Sequence, residues 1–266
     1  MKEIKDINEL RSIQLEALKD VHKFCKENNL RYFLAYGTLL GAVRHKGYIP
    51  WDDDIDIIMP RPDYEQFFKL YGNKTYEASC FKSNKIHPYL YGKVYDKRTI
   101  LKENITFDLE NGVYIDIFPL DGIPANQQEA QKLFRKIHRL KKVMNLKKNK
   151  INGGRRGLSK QVVFIILQSF VFFISYKWIV NKINNLAQRI PYNFANNYVS
   201  VLTEGGYPTV HLKRDCEDYT LMAFEGALFN VPKEYDKILT NIYGDYMQLP
   251  PESKRVSTHS FKAWWK

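Results

Sequence analysis

Residues 34–60 read LAYGTLLGAVRHKGYIPWDDDIDIIMP, and four of the five positions from 52 to 56 are aspartate. Packing Asp52, Asp53, Asp54 and Asp56 so closely raises the electrostatic energy unless a cation or protons relieve it, so the cluster calls for a positive species. The surrounding pattern sets the local elements. LRYFLAY, 30–36, reads as a short strand and TLLGAVRH as a short helix; KGYIP is turn-like, IDIIM, 55–59, is a strand, and RPDYEQFFKLYG is a helix starting just after Pro60. Gly37 and Thr38 therefore fall at a strand-to-helix turn.

In a strand, residues two apart point the same way, so Asp54 and Asp56 share a face about 6–7 Å apart, with Asp52 nearby if the extended backbone begins that early. Ile55, Ile57 and Met59 take the opposite face. A bare Asp-x-Asp is more often a solvated turn or helix start than a metal site. Here it lies in a strand, where Asp is depleted, and a second apolar strand, YIDIF, offers Asp116. Alone, Asp116 would be read as a cap or an ion-pair partner. Together these carboxylates form an all-oxygen set suited to a hard ion, Mg²⁺ or Mn²⁺, with phosphate as the other ligand. A glycine between strand and helix lets a phosphate approach the backbone, where the first N–H groups and the helix dipole favour an anion. That turn followed by an Asp-x-Asp strand is the layout of nucleotidyltransferase-fold enzymes.

Further from this block, Leu10, Ile13, Ala17, Val21 and Phe24 recur at helical spacing and predict an amphipathic helix over 4–28. YLYGKVY, 89–95, and GVYIDIF, 112–118, read as strands, the second ended by Pro119 and the turn Asp121-Gly122. A basic helical run covers 125–150, INGGRRGLS breaks it, and VVFIILQSFVFFISYKWIV follows at 162–180. A strand near 219–224, a helix near 232–243 and a Pro-rich tail ending FKAWWK complete the chain.

The 266 residues suffice for a substantial core, rich in the 18 Tyr and 16 Phe. Cys25, Cys80 and Cys216 are odd in number and unpaired in spacing, so they read as reduced thiols. The charged start, MKEIKDINEL, lacks the apolar run of a secretion signal, which points to the cytoplasm and makes the sequons at Asn73 and Asn104 coincidental. The net charge of +12 resembles a nucleic-acid binder's, but residues 130–203 hold 15 Lys or Arg and no acid, leaving the rest at −3. Nucleic acid is therefore not the expected partner. The apolar run at 162–180 is interrupted by Gln168, Ser169, Ser175 and Lys177. A span there would separate the two ends of one fold. The expected arrangement is an interfacial hairpin of basic and apolar helices on an anionic membrane, with an apolar helix buried in the protein core as the alternative.

The blocks AYGTLLGAVRHKGYIPWDDDIDIIMPRPDY, GKVYD and YIDIFPLDG resemble the LicD family of phosphocholine transferases, relatives of the fukutin-related proteins. The resemblance extends to VPKEYDKILTNIYGDYMQLPP and implies an α+β, nucleotidyltransferase-type fold: one catalytic domain over 1–266, a mixed sheet flanked by helices, and a helical, basic and apolar insertion at 125–200. It implies a divalent metal and transfer of a phospho-alcohol from a CDP-alcohol, in the best-known members CDP-choline, to a sugar hydroxyl of a lipid-linked glycan precursor of teichoic acid or lipopolysaccharide. The enzyme would work on the inner face of a bacterial membrane. Asp54 and Asp56 would be metal ligands supported by Asp52 or Asp53, and Asp116 a further ligand or the base. Gly37 and Thr38 would form the phosphate turn, with Arg44, His45 and Lys93 near donor phosphates. A choline head would need an aromatic cage, for which Trp51, Tyr89, Tyr91, Trp264 and Trp265 are candidates. A metal-dependent glycosyltransferase using a nucleotide sugar, or a non-catalytic adaptor for anionic lipid, are the alternative readings.

Overall fold

The structure is a computed structural model that describes residues 1–82, 87–103, 105–107, 109, 111–149, 158–199, 210–256 and 261–266. In chain order its elements are β1 (Lys2–Ile4), α1 (Ile7–Glu27), β2 (Phe33–Leu34), α2 (Tyr36–His45), β3 (Asp56–Pro60), α3 (Arg61–Leu70), β4 (Tyr76–Ser79), β5 (Gly92–Asp96), β6 (Thr99–Glu103) and β7 (Tyr114–Ile123). The second half adds α4 (Gln127–Lys148), α5 (Leu158–Val171), α6 (Tyr176–Ala187), β8 (Asn197–Val199), β9 (His211–Leu212), β10 (Tyr219–Phe224), β11 (Ala227–Pro232), α7 (Tyr235–Tyr243) and β12 (Phe261–Trp265).

The fold is α+β around a mixed sheet in the order β2-β3-β7-β5-β4, with β8 and β9 continuing from β7. Among the described residues only β3 and β7 run parallel in it. Ile55, Ile57 and Met59 beside β3 and Ile115 and Ile117 on β7 are fully buried in one cluster with Ala17, Leu18 and Val21 of α1 and Tyr64 and Phe67 of α3. Burying each such aliphatic side chain contributes about 1.5–3 kcal/mol, so α1 and α3 are fastened to that face. The alternating residues Asp56 and Asp116 take the other face, which carries the site.

β7 does not stop at Pro119. Asp116 N–H donates to Ile55 O, so by strand alternation the even residues of β7 donate toward β3 and the Pro119 nitrogen faces the other edge. There β5 last pairs at Ile117 and β8 first pairs at Asp121, so the missing N–H falls in a gap between partners. Asp121, expected in a turn, is instead buried within β7, where Arg61 donates to both carboxylate oxygens at 2.7 Å. Residues 125–200 are also not helical throughout: the helices end at Ala187, and Asn197–Val199 rejoins the sheet as β8.

FKAWWK is no loose tail. β12 forms a second, three-stranded sheet between β1 and β6. β10 and β11 make a hairpin whose two-residue turn, Glu225 and Gly226, has positive φ at both positions, as the twist of such hairpins requires. The apolar run 162–180 is broken into α5 and α6, bent by 82°, and among the described residues no single helix is long and apolar enough to cross a membrane.

Candidate active site

The aspartate loop is built from both sides. α1 places Arg11 and Gln14 beneath it: Arg11 donates to the carbonyls of Ile49, Pro50 and Asp52, and Gln14 to that of Asp53 at 3.0 Å. From the opposite side the β10–β11 turn presents Glu225, whose Oε1 accepts the Tyr48 N–H at 3.0 Å. With its main chain so occupied, the loop turns its carboxylates to one side. Asp52, Asp53 and Asp54 can bring oxygens within 4.8 Å of one another, an arrangement suited to a cation.

Asp54 lies in this loop and not in the strand, which begins at Asp56. The reason is α2. Ala35 N–H donates to Asp56 O at 3.0 Å, the Asp56 N–H donates to Thr38 Oγ1 at 2.8 Å, and the helix thereby takes the place of a continuing β2. Asp54 and Asp56 nevertheless converge. Burial, then the charges of Asp54, Asp116 and Asp52, push the Asp56 carboxyl well above its usual range, with Lys93 opposing.

Thr38 is buried and engaged with the Asp56 backbone. Gly37 lies in the first turn of α2, and a Cβ there would sit 2.5 Å from Asp52 Oδ2. Glycine at this position lets the Asp52 carboxylate reach the positive end of the helix. The preceding residue, Tyr36, is the one in the left-handed region, at φ 46°. Non-glycine residues held there carry strain that the surrounding structure must enforce.

A polar row crosses four strands on this face. In direct register stand Ser79 of β4, Lys93 of β5, Asp116 of β7 and Asp56 of β3. Lys93, 1% exposed, donates from Nζ to Asp116 Oδ1 at 2.7 Å and lies over the rings of Tyr114, Tyr89 and Tyr91. Ser79 Oγ is 3.0 Å from His87 Nδ1, and His87 Nε2 donates to Tyr91 O at 2.6 Å. Burial, Lys93 and Lys148 lower the His87 imidazole to about 3, against the hydrogen bond to Tyr91.

Asp52, Asp54 and Asp56 open onto a cleft of about 940 Å³ whose other walls are Tyr36, Trp51, Tyr243, Tyr246 and the segment 248–256, including Lys254 and Arg255. The Arg255 guanidinium lies 5.7 Å from the Trp51 ring centroid. Arg44 donates to Tyr246 O at 2.7 Å and to His45 Nε2 at 2.9 Å, so the end of α2 holds the C-terminal wall in place. Burial and the nearby charges of Asp56 and Asp52 raise the Tyr243 hydroxyl above its usual range.

The structure thus gathers Gly37, Arg44, Trp51, Asp52, Asp54 and Asp56 around one cleft. Asp116 and Lys93 adjoin it through the strand register. Tyr89 and Tyr91 surround Lys93, whereas Trp264 and Trp265 belong to the second sheet, where Trp265 Nε1 donates to Glu9. Sequence reasoning did not find Arg11, Gln14, Tyr243, Tyr246 or Arg255. The Tyr- and Pro-rich stretch around 243–251 was the signal for the last group.

Residues 29–151 match the nucleotidyltransferase domain of the LicD/FKTN/FKRP family. The chain is 29% identical over 267 aligned residues, 97% of each protein, to the lipopolysaccharide cholinephosphotransferase LicD of Haemophilus influenzae. Residues 29–151 thus carry a LicD-type nucleotidyltransferase domain, and nearly the whole chain is similar to that LicD protein. Shorter matches join it to uncharacterized proteins of two Rickettsia species. One, from Rickettsia typhi, is 39% identical over 82 residues, 30% of this chain and 26% of that protein. The other, from Rickettsia prowazekii, is 55% identical over 42 residues, 16% of each.

Proposed function

We propose that this protein is a divalent-metal-dependent cholinephosphotransferase of nucleotidyltransferase-type fold. It would move phosphocholine, or a similar phospho-alcohol, from a CDP-alcohol to a sugar hydroxyl of a lipid-linked glycan precursor, of lipopolysaccharide or teichoic acid type, at the inner face of a bacterial membrane. The observation that carries the reading is the convergence of Asp52, Asp54, Asp56 and Asp116 beside the first turn of α2, at the edge of a cleft walled by aromatic and basic side chains. The activity named for the Haemophilus relative, which aligns along nearly the whole chain, supports the choice of phosphocholine.

The donor set fits Mg²⁺ or Mn²⁺: it is all carboxylate, and burial together with repulsion from its neighbours already drives Asp56 toward a proton that a cation would replace. Asp54 and Asp56, with Asp52, would hold the ion, which when bound supplies charge neutralisation at the phosphates. In the reaction the acceptor hydroxyl oxygen forms a bond to the phosphorus bearing the alcohol, the bond from that phosphorus to the bridging oxygen breaks, and CMP leaves. Lys93 fixes the orientation of Asp116, which completes the ligand set or accepts the hydroxyl proton; the two roles separate kinetically. Trp51, Tyr243 and Tyr246 offer π faces to a quaternary ammonium, and Arg255 and Lys254 offer charge to the donor phosphates.

The test is incubation with a panel of CDP-alcohols and nucleotide sugars with Mg²⁺, with and without a glycolipid acceptor, reading CMP release. Acceptor-dependent CMP release from CDP-choline or another CDP-alcohol supports the reading. Turnover of a nucleotide sugar alone would overturn it in favour of glycosyl transfer.

A further inference from the structure

The helices α4–α6 stand apart from the site in composition. α6 is committed to the protein: Ile179, Val180, Ile183 and Ala187 are buried in one cluster with Ala130, Leu133, Phe134 and Ile137 of α4. α5 is not. It meets the protein along a narrow stripe that includes Phe164, 8% exposed, and Gln168, whose Nε2 donates to Leu146 O. The remainder of the helix is bare and apolar: Val162, Val163, Ile165, Ile166 and Leu167 are all more than 40% exposed. The bareness peaks at the elbow into α6, where Phe170 is 76%, Phe172 72% and Phe173 92% exposed, with Trp178 beyond them at 54%.

This surface is held in shape. Lys147 of α4 donates to the carbonyls of Val171, the last residue of α5, and Phe172, the first of the elbow, at 3.0 Å each, and Ser175 caps α6 through the Trp178 N–H. The rings of Phe170, Phe172 and Phe173 on this braced elbow nevertheless stand largely in solvent, and soluble monomers rarely carry a contiguous patch of this kind without a use for it.

The charge around it says what the partner is. All 15 basic residues of 130–203 lie in a stretch with no acid at all, and Arg135, Arg139, Lys142, Lys177 and Lys182 are exposed on the helices that carry or brace the elbow. A protein partner would have to be both apolar and strongly acidic. An anionic bilayer is both by construction, with acyl chains for the phenylalanines and headgroups for the lysines. A single straight span is ruled out by α6, because straightening the 82° elbow into one helix would pull Ile179, Val180 and Ile183 out of the cluster they share with α4.

We infer that the α5–α6 elbow is a membrane-docking surface, inserting Phe170, Phe172 and Phe173 into the acyl boundary of an anionic bilayer while the flanking basic residues lie at the headgroups. The inference rests on the proposed function only for its purpose, bringing the cleft to a lipid-linked acceptor. Docking itself needs neither donor nor acceptor, so it is measured separately from transfer.

The test is flotation of the full chain with vesicles of phosphatidylcholine alone or with a third of the lipid as phosphatidylglycerol. Wild type floats with the anionic vesicles and about tenfold less with neutral ones, and added salt weakens the binding, since each basic residue near the surface contributes about fivefold in partitioning. The triple variant Phe170→Ser, Phe172→Ser, Phe173→Ser keeps its circular dichroism and melting temperature, because all three rings are exposed, yet loses about tenfold or more of the binding. Trp178→Phe removes the part of the tryptophan fluorescence quenched by brominated lipid. Wild type that ignores anionic vesicles, or a folded triple variant that binds them as well as wild type does, overturns the inference. So does wild-type self-association that the triple variant abolishes without any vesicle binding, which would make the elbow an interface between copies. If flotation succeeds and no CDP-alcohol is turned over, the docking surface stands and the proposed reaction falls.

Discussion

Lys93 Nζ lies 2.7 Å from Asp116 Oδ1 and 3.2 Å from the centre of the Tyr114 ring, so its charge meets the Asp116 carboxylate and π faces in a site with 1% exposure. Removing one partner of such a pair leaves the other buried and uncompensated, which costs about 3–5 kcal/mol. Lys93→Met should therefore lower stability by about that amount in urea titration, and Lys93→Met combined with Asp116→Leu should recover a good part of it. Asp116→Asn should lower the rate far more than it weakens donor affinity if Asp116 accepts the proton. A loss confined to affinity would make it a ground-state ligand.

Asp54→Asn and Asp56→Asn should each reduce turnover by about 10²–10³-fold, as loss of one preorganised charge-stabilising group does. Without divalent cation, neither should destabilise the fold. Asp56 has a raised folded-state pKa, so between the unfolded value and the raised one the folded protein binds the extra proton and loses stability as pH rises. Asn at 56 removes that loss. The same competition between proton and cation predicts that Mg²⁺ affinity, read by thermal shift, climbs with pH and climbs less in Asp56→Asn. Affinity independent of pH would remove Asp56 from the ligand set.

The stretch 34–60 was legible because its elements are short-range: alternating apolar residues opposite Asp56, helical spacing before it, Pro60 at the helix entrance. The strand, expected at 55–59, runs from 56 to 60, and Asp54, expected to share its extended backbone and face with Asp56, lies in the loop before it, because α2 replaces β2 as the partner of Asp56. Pro119 was read as a terminator since a missing N–H usually ends pairing; only the order of strands tells that this nitrogen faces a gap. Arg11 and Gln14 reach carbonyls 38 to 41 residues away, and nothing local in an amphipathic helix announces such a contact. The cleft wall from 243 to 256 and the pairing of β12 with β1 and β6 depend on the closure of the whole chain, which composition and spacing do not encode.

Because Thr38 Oγ1 accepts the Asp56 N–H, Thr38→Val should leave that donor without its partner and cost about 1–3 kcal/mol, whereas Thr38→Ser should be close to wild type. Gly37→Ala acts differently. Its Cβ would displace the Asp52 carboxylate, so Mg²⁺ affinity should fall by about tenfold, the scale on which groups that orient metal ligands act, with little change in melting temperature. Arg11→Ala should resemble Gly37→Ala in cation affinity but also lower stability, since it removes hydrogen bonds to three loop carbonyls at once. Unchanged cation affinity in both variants would detach the aspartate loop from metal binding.

His87 supplies a second pH dependence of opposite sign. Its Nε2 donates to a backbone carbonyl and its Nδ1 faces Ser79 Oγ, so the neutral ring with the proton on Nε2 fits, and a second proton would be added beside Lys93 and Lys148. With a folded-state value of about 3 and an ordinary value of 6.5, the unfolded chain takes up the proton first as pH falls. The stability that His87 contributes is therefore complete above the ordinary value and drains away below it, with a slope approaching one proton, about 1.4 kcal/mol per pH unit. Denaturant titrations at pH 7, 5.5 and 4.5 should show this extra loss in wild type and its absence in His87→Gln. Imidazole resonances should report a neutral His87 at pH 5. A ring that titrates near its ordinary value, or a variant with the same pH slope as wild type, would show that the polar row ends at Lys93 and that His87 lies outside its field.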